Sequence, residues 1–147
     1  MKAVTMFTAA VVMFGVIAAN AQDKDVRKYF PDPSVYKKVE LAPAIKAFER
    51  CLAIDNPGVQ ESAMAHLAMM KMMVPSVESG EITRRLEDMA TSAPAPGTRY
   101  KAYIASQVFR NPELFVKERN SEYNDADELF NALAARLQNS LLTYSGN

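Results

Sequence analysis

The chain has one cysteine, one histidine and no tryptophan, and neither sign of charge prevails, with 17 Lys and Arg against 17 Asp and Glu. Each shortage closes off a class of protein. A single cysteine, Cys51, cannot build an internal disulfide framework, so the core has to hold by packing. Cys51 follows Ile45 and Phe48 at helical spacing and reads as a small residue on a buried face; the other uses of an odd cysteine are an intermolecular disulfide or a reactive thiol. A Ser-His-Asp or Cys-His nucleophile would need His66, the sole histidine, together with a partner such as Cys51 on a neighbouring helix. Its place one residue before the apolar Leu67 suits the flank of a helix pair instead. Basic residues are scattered, in pairs such as Lys37-Lys38 and Arg84-Arg85, rather than gathered into the patch or stripe that nucleic acid requires. P-loop, dinucleotide, HExxH and EF-hand patterns are all absent. The carboxylate pairs Glu87-Asp88 and Asp127-Glu128 are adjacent, so on a helix they diverge and cannot flank one substrate bond. No catalytic residue and no cofactor is expected, and the chain is read as a non-enzyme.

At the N-terminus a single lysine, Lys2, precedes an uncharged apolar run from Ala3 to Ala19, and Ala19-Asn20-Ala21 stands before the charged Gln22-Asp23-Lys24-Asp25. This is the layout of a secretory signal peptide cut after Ala21. The protein is therefore expected in the periplasm or secreted, with no stable membrane insertion after cleavage. The alternative is anchoring by an uncleaved N-terminal segment, for which the run is marginal, because a span needs about 20 apolar residues. The remaining chain divides into an N-terminal arm, residues 22–41, and a single all-helical domain, residues 42–147.

Proline and glycine mark out the domain. Pro57-Gly58-Val59 opens one apolar helical run and Pro96-Gly97-Thr98 opens another, 39 positions later. Helices are expected from Pro43 to Ile54, from Pro57 to Val74 with Asn56 as N-cap, from Glu81 to Ala90, and from Thr98 to Phe109. Asn111-Pro112 should start a short helix around Glu113 to Lys117. Asp125 with Glu128 three residues on forms a capping box for a last helix to about Tyr144. Asp32-Pro33 can start a brief turn within the arm, whose aromatic residues would lie along the first helix pair.

The inward faces are expected to be Ile45, Phe48, Cys51 and Leu52; then Val59, Ala63, Leu67, Met70 and Val74; then Ile82, Leu86, Met89 and Ala90; then Tyr100, Tyr103 or Ile104, and Val108. The last helix, with Leu129, Phe130, Leu133, Leu137, Leu141 and Leu142 at helical spacing, should cover the Tyr100 to Val108 face. No stretch alternates with period 2, so the fold class is all-α.

The run from Asp55 to Ala68 resembles the helix signature of HEAT repeats, with Pro57, Val59, Ala63 and Leu67 at the matching places; Gln60 stands where an arginine is usual, although Arg99 follows Thr98 in the second copy. The spacing lies at the edge of the roughly 40–47 residues of such repeats. The resemblance covers residues 43–115 and implies two antiparallel helix hairpins, closed here by the C-terminal helix, that bind other proteins on an extended face. The competing arrangement is an irregular helix bundle. The leading reading is an exported, non-enzymatic helical scaffold for protein-protein interaction.

A reading of another class rests on Met64, Met69, Met70, Met72 and Met73, because thioethers suit Cu(I) in an exported copper-binding protein. No metal site is expected, since neighbouring methionines point about 100° apart on a helix. The nearest approach to a site would be His66, Met69, Met70 and Met73. The bland use of these methionines is adaptable core filler, and an intermediate one is a pliable surface for a partner.

Overall fold

A computed structural model describes residues 28–144. The expected signal peptide, the first residues of the arm and the last three residues, where Ser145-Gly146 is expected to end the last helix, lie outside the described residues. Within them the chain forms six α-helices, α1 (Pro33–Lys38), α2 (Leu41–Leu52), α3 (Pro57–Met73), α4 (Gly80–Ser92), α5 (Pro96–Arg110) and α6 (Ala126–Tyr144), with no strand. Two 3-10 turns, Pro112–Phe115 and Glu118–Asn120, replace the short helix expected around Glu113 to Lys117. The Asn111 side chain makes no cap bond there.

Side-chain caps set three of the six helix starts. The Asp32 carboxylate accepts from Ser34 N at 2.9 Å, with Pro33 next to it in the first turn of α1. Asn56 Oδ1 accepts from Val59 N at 3.1 Å to start α3. At α6, Asp125 Oδ1 accepts from Glu128 N at 2.8 Å, while Glu128 Oε2 reaches back to Asn124 N at 2.7 Å. The reciprocal bond of the capping box thus falls one residue earlier than its simplest form. Helix α2 begins at Leu41 instead of Pro43; proline is still in the first turn there, where its missing N–H breaks no bond.

Helix α3 is central. It packs against α1, α2, α5, α6 and both 3-10 turns. Its buried residues include Ala63, Met64, Ala65, Leu67, Ala68, Met69, Met70 and Met72, which surround the helix axis. The expected single row is therefore replaced by burial on all sides, and Val59 and Val74 are only partly covered. Small residues at 63, 65 and 68 let neighbouring backbones approach, and flexible methionines fill the gaps left between them.

Helix α5 lies between α3 and α4. Ala102, Ile104, Ala105, Ser106, Val108 and Phe109 are buried, whereas Tyr100 and Tyr103 are 55% and 51% exposed. The expected burial of Tyr100 is thus corrected, and of the two candidates Tyr103 and Ile104 it is Ile104 that faces inward. A helix with two main packed neighbours, and α6 and the first 3-10 turn besides, buries a wide arc, and the small Ala102, Ala105 and Ser106 allow closer approach than two tyrosines would. What remains outside is the stripe of Tyr100, Tyr103 and Arg110, with Gln107 partly covered.

Helix α6 is corrected in the same way. Leu129, Phe130 and Leu133 are buried and Leu137 partly so, but Leu141 and Leu142 are 68% and 65% exposed. Only its first half lies on the core, against α3, α5 and the first 3-10 turn, where Phe115 is fully buried. Arg136 Nε donates to Leu114 O at 2.7 Å and ties α6 to that turn. Lys101 joins three helices, since its ammonium bonds Glu61 of α3 and Asp127 of α6 and lies 5.9 Å from the Phe130 ring centre.

Candidate protein-binding groove

Helix α2 has its main packing on α3, and α4 has its own on α5. The N-terminal ends of α2 and α4 are consequently not held together, and a groove opens between them. Leu41, Ile45, Lys46 and Glu49 form one wall, Glu81 and Ile82 the other, and Val77 to Gly80 the end. The hollow has a volume of about 440 Å³. A second, about 560 Å³, adjoins it and shares Leu41 and Val77; Tyr36, Val39, Met73 and Pro75 also line it. Apolar walls under a charged rim are what a side chain of another protein needs for anchoring and orientation.

The loop between α3 and α4 is held by Lys71. Its Nζ donates to Pro75 O at 2.6 Å and to Val77 O at 2.8 Å, and it sits 5.9 Å from the Phe109 ring centre. The residue is only 6% exposed, and burial holds its pKa below the usual lysine value. Its charge sits at the C-terminal end of α3, where the helix dipole favours a cation. Tyr36 is buried too, and its hydroxyl has no hydrogen-bond partner within the protein. Burial pushes that phenol well above its ordinary pKa. Sequence reasoning placed Tyr36 only among the arm's aromatic residues along the first helix pair and missed Lys71, whose one signal was a lone lysine inside the apolar run from Met69 to Val74.

The residues singled out in the sequence lie elsewhere. His66 projects from α3 into a box of rings, stacked on Phe48 at 5.0 Å and tilted against Tyr29 and Phe30 at 5.1 Å each. Met69 and Met70 are buried in the core, and Met73 is partly buried beside the second hollow. Cys51 is half-buried, and burial raises its thiol pKa. Lys101 feels burial first, which lowers its pKa, but Asp127 and Glu61 together outweigh that and leave it raised. Among the described residues no group of three or more His, Cys, Asp or Glu side chains is placed to hold a metal ion, and no helix is long and apolar enough to cross a membrane.

No family model, curated protein or solved structure matches the chain.

Proposed function

We propose that the protein is an exported, non-enzymatic helical module that binds another protein, with the groove between α2 and α4 as its contact surface. The observation that carries this reading is the groove itself, an apolar-walled hollow whose loop is pinned by a buried lysine. Two helix pairs, α2 with α3 and α4 with α5, joined through the packing of α3 on α5, accord with a HEAT-like arrangement closed by the first half of α6. The apolar run of residues 3–19 with its small-residue cleavage site supports export. Burial of Met69, Met70 and Met72 favours their use as core filler over soft-metal ligands, because an ion would have to open the core to reach the sulfurs.

Ala42 is exposed on the groove wall, so arginine there should obstruct the hollow without disturbing the core. In crosslinked capture from cells that export the protein, the wild type should recover a defined partner and Ala42→Arg should lose it at unchanged thermal midpoint. Equal recovery by both proteins would remove the groove from the reading, and recovery of nothing by the wild type would remove protein binding.

A further inference from the structure

The segment from Lys28 to Lys38 crosses the surface of α3 and is fastened at the ring box around His66. Tyr29 and Phe30 come from this arm, Phe48 from α2, and the imidazole from α3, so three elements meet at one ring. His66 Nδ1 lies 2.9 Å from Ser62 O, a contact that the neutral ring satisfies with its single N–H on Nδ1. The Tyr29 hydroxyl donates to Ser62 Oγ at 2.9 Å, one turn away on the same helix. Outside the box, Phe30 meets the edge of Tyr123 at 6.4 Å.

We propose that Lys28–Lys38 is an acid-released strap, held closed by the neutral imidazole of His66 and freed when that ring takes up a proton. Ring faces cover most of the imidazole, and although the Tyr29 backbone offers the charged ring a hydrogen bond, they keep water from solvating its full charge. The titratable groups around the box do not offset this. From the arm come Tyr29, engaged with Ser62, and Lys28, paired with Glu122 at the outer edge. From the segment before α6 comes Tyr123, whose hydroxyl donates to Glu118 O. From α2 comes the uncharged Phe48. Burial is the largest influence on His66 and lowers its pKa below the ordinary 6.5; the backbone groups of Ser62 and Tyr29 pull the other way without reversing it, and no charged side chain contributes.

The direction of the switch follows from linkage. With the strap open the ring regains its ordinary pKa, so the open state binds the proton more readily than the closed one. The closed strap is fully stabilised above about pH 6.5 and weakens as pH falls toward the lowered value, the opening equilibrium growing until the closed-state value is passed. Release would also carry Tyr36 away from the second hollow, which it lines. The strap does not depend on the protein-binding reading, because its test follows the arm alone.

The chain has one histidine, so the imidazole Cε1–H resonance of an untagged protein is assigned without ambiguity. Proton NMR from pH 8 to pH 4.5, with amide exchange measured in parallel, should place the His66 midpoint below 6.5. Over the same window protection should fall at Val35 and Tyr36, by about tenfold for each unit that the measured His66 midpoint lies below 6.5, while the Met64 to Met70 amides of α3 stay protected. In His66→Phe, which keeps a ring in the box, the arm should stay protected across the range. A midpoint at or above 6.5, arm protection that persists through the titration, or the same acid opening in His66→Phe would each overturn the proposal. The wild-type titration stands by itself if the variant does not fold.

Discussion

Helix α6 offers a stability ladder along one stripe of leucines. Leu133 is fully buried, Leu137 is partly covered against the core, and Leu141 is 68% exposed. Truncating a fully buried leucine to alanine removes its transfer free energy and leaves a cavity, at a cost of about 2–5 kcal/mol. At Leu141 little surface leaves water on folding, and substitution there should fall within about 0.5 kcal/mol of zero. Leu137→Ala should lie between, since only part of its surface is removed from water and the site borders solvent into which the structure can relax. For a domain of this size 1 kcal/mol moves the midpoint by a few degrees, so Leu133→Ala should lower it by on the order of 10 °C and Leu141→Ala by about 1 °C. Thermal unfolding followed by circular dichroism at 222 nm, with urea titration to compare slopes, measures all three. Equal losses at Leu133 and Leu141 would refute the reasoning, because they would mean that the distal half of α6 is packed as firmly as the first.

Tyr36→Phe removes a buried hydroxyl that has no partner and should raise stability by about 1 kcal/mol at neutral pH, read as a higher urea midpoint. Because its folded pKa is raised, the phenol stays protonated in the folded state while the unfolded chain ionises above about pH 10; stability should therefore fall above that pH and fall less in Tyr36→Phe. Lys71→Met keeps the apolar stem but abandons Pro75 O and Val77 O, and should cost about 1–3 kcal/mol, with faster amide exchange at Val77 as the local sign. An unchanged exchange rate there would mean that the loop holds its shape without the lysine.

The elements legible in the sequence were those decided within a turn of helix. Asp32-Pro33, Asn56-Pro57 and the Asp125 to Glu128 box each satisfy N–H groups a few residues away, so their chemistry is complete on the line of sequence. The fold class follows from the same caps and from periodicity, and the inward faces of α2 and α4 were read correctly because each has one main packed neighbour. What the line of sequence cannot carry is the number of neighbours a helix will have. Helix α3 acquired them on all sides, and α5 on two, which turned Tyr100 and Tyr103 outward in favour of smaller residues that permit close packing. The first half of α6 was enough to close the core, so Leu141 and Leu142 follow the period without being buried. The groove and the ring box belong wholly to the tertiary level. One exists because α2 and α4 pack on different partners, and the other because the arm folds back over α3 and brings Tyr29 and Phe30 against His66. Local hydrogen bonding specifies where a helix begins and ends, whereas burial is a property of the assembled surfaces, and only assembly decides which apolar or titratable side chains lose contact with water.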